Sequence, residues 1–124
     1  MEYIALIVDD DQPTLLFLEQ VLRPLNVEIM KAEDGAQAIA LLENSTPVIV
    51  FLDMLMPSIG GLEVLGYITR TPRLNNMYVV VVSAHRYFEP SEALNRANTY
   101  FVKPIRPKDI RDMAQCALSR QAPH

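Results

Sequence analysis

Val48-Ile49-Val50-Phe51-Leu52-Asp53-Met54-Leu55-Met56-Pro57 begins with five apolar residues, mostly β-branched or aromatic, the pattern of a strand buried on both faces. The run ends on a carboxylate, and Pro57 stops further pairing. An Asp at the carboxyl end of a central parallel strand lies where open α/β sheets place their ligands. Asp also commonly caps the loop after a strand, so Asp53 alone does not decide between a site and a turn.

The segments on either side repeat the theme. Ile4–Val8 is a short apolar run ending in Asp9-Asp10-Asp11. Pro13 marks the first turn of a helix, with Leu15, Leu18 and Leu22 at helical spacing, Phe17 and Val21 widening the stripe, and Pro24 ending it. Val27–Ala32 is half polar, as an edge strand should be. Asp34 and Gln37 have the form of a capping box and open a helix read through Ala36, Ile39, Ala40 and Leu42.

After Gly60-Gly61, the residues Leu62, Leu65 and Ile68 give a third amphipathic helix, stopped near Pro72. Tyr78–Val82 is a buried strand finishing at Ser83-Ala84. Pro90–Ala97 is a short, poorly patterned helix, and Tyr100–Val102 is a brief fifth strand ending at Lys103-Pro104. Ile110, Met113, Ala114, Ala117 and Leu118 form the clearest helical stripe, behind Pro107. Five strands alternating with five helices predict an α/β fold: a doubly wound, five-stranded parallel sheet of order 2-1-3-4-5 with helices on both faces.

Composition narrows the function classes. The 124 residues, 50% hydrophobic and 21% charged, are expected to form one domain, 1–124, with its core at about 4–118. A net charge of -4 argues against direct nucleic-acid binding. Cys116 is the only cysteine, which excludes an internal disulfide and a cysteine-based metal site; it reads as a small apolar helix residue. No basic leader precedes the first apolar run, and nothing approaches the ~20 apolar residues of a membrane span. The expected location is cytoplasmic, with no membrane partner.

In the expected fold the carboxyl ends of strands one, three, four and five share an edge and carry Asp9-Asp10, Asp53, Ser83 and Lys103. One polar strand end is easily a loop accident; four in so small a domain make a site. Two carboxylates roughly 5 Å apart repel by about 3 kcal/mol at an effective dielectric near 20. Such a cluster calls for a cation, and oxygen ligands without His or Cys favour Mg²⁺ or Mn²⁺ over Zn²⁺. Lys103 adds a compact positive charge and Ser83 a hydroxyl donor. The set matches phosphoryl transfer onto Asp53, giving an aspartyl phosphate.

These residues carry a resemblance to the receiver domains of two-component response regulators, with their CheY-like, flavodoxin-like fold. It rests on Leu6-Ile7-Val8-Asp9-Asp10-Asp11, on Phe51–Pro57 with Gly61-Leu62-Glu63-Val64-Leu65, on Val82-Ser83-Ala84 and on Tyr100-Phe101-Val102-Lys103-Pro104, and it runs from Ile4 to Leu118. The resemblance implies a phospho-acceptor signalling switch rather than a conventional enzyme. Asp53 would take a phosphoryl group from a histidine kinase or phosphotransfer protein and catalyse its own phosphorylation and dephosphorylation. Asp10, Asp53 and the backbone carbonyl of Leu55 would bind Mg²⁺ directly, with Asp9 acting through water.

The resemblance further implies that Ser83 and Lys103 hold the phosphoryl group. Tyr100 would be the switch aromatic that follows Ser83, and the Lys103–Pro104 bond would be cis. It also names the fourth-helix, fifth-strand and fifth-helix face as the candidate surface for a homodimer. Asp11 reads as a helix cap instead of a ligand, and His85 as either a pocket residue or a surface one.

The chain departs from the family pattern between Ala84 and Ala97, where Ser83 and Lys103 stand slightly closer in sequence than is usual. Arg96 occupies a place where receivers commonly put a helix-ending glycine, so Asn95 or Asn98 is expected to take the left-handed position. Two other functions remain in view. A phosphatase with an Asp nucleophile usually needs a second acid two residues on, and that position is Leu55. A phosphorylation-independent docking module would suit the altered fourth helix, though the intact site residues speak against it. The downstream target is not encoded in any motif, and Ser119–His124 reads as an ending or as a boundary within a longer chain.

Overall fold

The computed structural model describes residues 3–54, 56, 60–84 and 94–121. Its strands are β1 (Ile4–Val8), β2 (Glu28–Ala32), β3 (Ile49–Asp53), β4 (Tyr78–Ser83) and β5 (Thr99–Val102). They form one parallel sheet of order β2-β1-β3-β4-β5, as the apolar runs predict. The α-helices among the described residues are α1 (Gln12–Leu22), α2 (Gly35–Glu43), α3 (Gly61–Thr69) and α4 (Pro107–Gln121).

Alternation along the strands sorts the core into two layers. Ala5, Ile7, Ile49, Phe51, Val80 and Val82 pack against α1 and α4 on one face. Leu6, Val8, Val50, Leu52, Val79 and Val81 pack against α2 and α3 on the other. Every residue of β3 is buried, whereas β2 at one edge and β5 at the other are half exposed. The apolar run around Phe51 thus becomes the centre of the molecule.

The helix starts follow local chemistry. Asp11 caps α1: its Oδ2 accepts from the Thr14 amide at 3.1 Å and the Thr14 hydroxyl at 2.5 Å. Asp34 caps α2 through the Gln37 amide at 2.8 Å, and the Gln37 side chain accepts from Glu33 N at 2.9 Å. At α3, Glu63 reaches back to accept from Gly60 N at 3.0 Å.

The burial phases of two helices differ from the sequence reading. In α2 the buried residues are Gly35, Ala38 and Leu42, while Ala36 and Ala40 are exposed. An alanine-rich helix has nearly equal small side chains on several faces, so its periodicity does not fix the phase; the Asp34 cap does. In α3, Gly61, Val64, Leu65 and Ile68 are buried and Leu62 is 49% exposed. The close approach of Gly61 to Met54 turns the helix so that Leu62 faces outward.

Neither Asn95 nor Asn98 takes the left-handed conformation; among described non-glycine residues only Asn26 does, at φ 59°. Asn98 instead accepts hydrogen bonds from Val79 N and Arg96. The helix expected over Pro90–Ala97 falls largely outside the described residues, as do His85, Leu55 and Pro57; within it, Leu94–Arg96 forms a 3-10 turn.

Candidate functional site

Register decides which side chains meet at the carboxyl edge. Val8 is level with Leu52, so Asp9 and Asp53 occupy the same rank at the ends of adjacent strands. Asp53 is level with Val82, and Ser83 with Val102, one residue before Lys103. Met54 N donates to Val82 O at 3.2 Å and Lys103 N to Ser83 O at 2.7 Å, which extends the pairing to the strand exits. Continuing the strand alternation, Asp9, Asp53 and Lys103 fall on the α1 and α4 side of the sheet. Ser83 and Tyr100 fall on the α2 and α3 side.

Asp9, Asp10 and Asp53 each present a carboxylate oxygen within 4.8 Å of the others. Asp9 and Asp53 are buried and Asp10 is exposed. The Lys103 ammonium donates to Asp9 Oδ2 at 2.9 Å and stands 3.8 Å from Asp53 Oδ1. Asp9 Oδ1 also accepts from Asp11 N at 2.9 Å, fixing its orientation.

Burial would lower the pKa of Lys103, but its hydrogen bond to Asp9 and the charges of Asp9, Asp53 and Asp11 outweigh it and hold the ammonium above the ordinary lysine value. The Thr14 hydroxyl and amide hold the Asp11 carboxyl below its ordinary value. That carboxylate is therefore a cap, as its place in the sequence implies.

An all-oxygen donor set of three clustered carboxylates, with one side open through Asp10, suits a hard divalent cation. Beside it lies a cleft of about 270 Å³ with Asp53, Asp9 and Lys103 at its polar end and Phe17, Leu18, Phe51 and Ile105 among its walls. Thr14, Phe17 and Ile105 were not legible as site residues. Phe17 looks like part of the α1 stripe, yet it is 38% exposed and stands on the cleft. The Lys103–Pro104 peptide is cis, as the resemblance implies.

Of the residues singled out in sequence, Asp9, Asp10, Asp53 and Lys103 are brought together. Ser83 is fully buried at the next strand end. Tyr100 lies level with Val81 and packs on the α2 and α3 layer, where burial pushes its phenol up to about 12. Ser83 and Tyr100 therefore share a face, which any coupling between them requires.

Comparison with known proteins points to one family. The sequence model of the response regulator receiver domain matches residues 5–115. The sporulation initiation phosphotransferase F of Bacillus subtilis is 30% identical over 110 residues, 86% of each chain. A CheY-like receiver domain protein from Methanospirillum hungatei superposes with a TM-score of 0.83 at 28% identity, covering 96% of this chain and 95% of that one. The response regulator TrrA of Thermotoga maritima, in complex with Mg²⁺ and BeF, gives 0.81 at 25% identity, covering 93% and 98%. Two transcriptional regulatory proteins of Bacillus subtilis are longer, and this chain spans 51% and 48% of their lengths. No described helix is long and apolar enough to cross a membrane.

Proposed function

The chain belongs to the response regulator receiver domain family, and from that premise we propose that it is a phospho-acceptor switch in which Asp53 takes a phosphoryl group from the phosphohistidine of a kinase or phosphotransfer protein. The observation that carries this reading is the cluster itself: three carboxylate oxygens within 4.8 Å and a lysine ammonium 3.8 Å from Asp53. In the step, an Asp53 oxygen forms a bond to phosphorus as the phosphorus–nitrogen bond to the donor breaks, and the donor imidazole leaves with that electron pair.

Each neighbour has a role in that step. Asp9, Asp10 and Asp53, with the Leu55 carbonyl, would hold Mg²⁺, or Mn²⁺ in its place. The bound ion would neutralise charge on the transferring oxygens. Lys103 offers its ammonium to a phosphoryl oxygen, a charge-assisted contact, and Ser83 offers its hydroxyl to another. Drawing Ser83 toward the phosphate opens space on the face it shares with Tyr100, and that ring movement carries the signal outward. To move most of the population between two states, the phosphoryl group must favour one by a few kcal/mol, which contacts of this kind supply. The protein acts in the cytoplasm, through a downstream partner that reads the switched face.

The test is labelling by acetyl phosphate. Wild type is expected to take up one phosphoryl group in Mg²⁺ and none in chelator, and Asp53→Asn none in either. Absence of labelling in wild type would instead favour a docking module that does not use phosphate.

A further inference from the structure

Arg96 stands where the family resemblance leads one to expect glycine, and both terminal nitrogens of its guanidinium are hydrogen-bonded. Nη2 donates to the carbonyl oxygens of Leu74 at 2.7 Å, Met77 at 2.8 Å and Asn75 at 3.3 Å, while Nη1 donates to Asn98 Oδ1 at 3.2 Å. Asn98 Oδ1 also accepts from Val79 N at 2.7 Å, and Asn98 N donates to Val79 O at 2.8 Å. One planar fork thus joins the residues entering β5 to those entering β4. The turn it grips is itself held: Arg73 donates to the carbonyl oxygens of Ser45 at 2.8 Å and Leu42, tying that turn to the end of α2.

The need for such a fastening is visible in β5. It is a four-residue edge strand with β4 as its one partner, and all four residues are only half buried. Its packing gives it a weaker hold than β3 or β4 enjoys. At the site end, Lys103 N is bonded to Ser83 O; at the other end the hold is Arg96 and Asn98. A glycine would free the chain there, whereas the arginine ties it to residues some twenty positions away.

We propose that Arg96 is a positioning residue that pins the entry of β5 against the turn before β4, so that movement at the Ser83 and Lys103 end works against a fixed opposite end. The clamp itself is independent of the reading of Asp53; only the movement it resists rests on that reading.

Residue-resolved amide exchange on the full chain tests the clamp without metal or phosphate, using wild type, Arg96→Gly and Arg96→Lys. The Val79 and Asn98 amides are expected to exchange about tenfold faster in the glycine variant, with the lysine variant between. Asp9 and Ala38, whose amides are bonded elsewhere, should keep their wild-type rates. Unchanged or slower exchange at Val79 and Asn98 overturns the proposal, because glycine would then serve equally well. Equal acceleration at Asp9 and Ala38 overturns it too, since the loss would be global.

A second arm adds Mg²⁺ with beryllofluoride and follows amide chemical shifts. In wild type, residues 74–79 should not respond; in Arg96→Gly the response should reach them, with Mg²⁺ affinity changed by no more than about twofold. The same pattern in both proteins refutes the fixed end. A wild type that ignores beryllofluoride altogether refutes the phospho-acceptor reading instead, and the exchange arm still judges the clamp.

Discussion

Asp53 sits between two carboxylates and a lysine that leans toward Asp9, 2.9 Å against 3.8 Å. Without metal the carboxylates of Asp9 and Asp10, with oxygens within 4.8 Å, repel its charge. Asp53→Asn is expected to stabilise the metal-free protein by on the order of 1 kcal/mol, read by urea denaturation in chelator. Lys103→Met does the opposite, leaving Asp9 buried without its cation. With the lysine side chain 29% exposed, solvent screening brings the cost below that of a fully buried pair, to about 2 kcal/mol. Because the folded-state pKa of Lys103 is raised, its contribution is complete below the unfolded lysine pKa. It is lost as pH rises through the folded value, so stability declines above about pH 10, and Lys103→Met removes that part of the decline. These residues were legible because each breaks an apolar run at a strand end. Arg96 was not: in sequence a lone arginine reads as solvated surface, and nothing local shows that its partners are carbonyls near residue 75.

At the scale of elements, the strand that ends in Asp53 and the helix α3 that follows it are joined by a contact only glycine permits. A Cβ on Gly61 would stand 2.7 Å from both Met54 Cα and Met54 Sδ and 2.9 Å from the Asp53 carbonyl oxygen. Two of those atoms are backbone, so the helix start must shift. Gly61→Ala is expected to cost about 2 kcal/mol and to weaken Mg²⁺ binding, measured by denaturation and by titration calorimetry; the loss of affinity separates displacement of β3's exit from simple strain. Strands were legible because burial on both faces leaves an unbroken apolar run. Helix phase was legible only where large residues mark one stripe, as in α1 and α4. In α2 the alanines gave no bias, and in α3 the close approach at Gly61 overruled the leucine at 62.

For the molecule as a whole, the site exists only when the sheet does. Asp9, Asp53 and Lys103 come from three strand exits separated by most of the chain, and residue-by-residue pairing from β1 through β5 brings them within 4 Å contacts of one ammonium. An unfolded chain has no such cluster, so an ion that binds the folded form draws the equilibrium toward it. At a hundredfold excess over its dissociation constant, Mg²⁺ should add about 2.7 kcal/mol. For a domain of this size that raises the melting temperature by roughly 10 °C. Asp53→Asn starts from a higher melting point in chelator yet gains less from Mg²⁺, so the two melting curves converge or cross as metal is added. Parallel curves would mean that the ion binds elsewhere. Such a crossing would explain why three acids stand together despite their repulsion: an ion bound there would offset the repulsion in the metal-free fold and serve the proposed phosphoryl transfer.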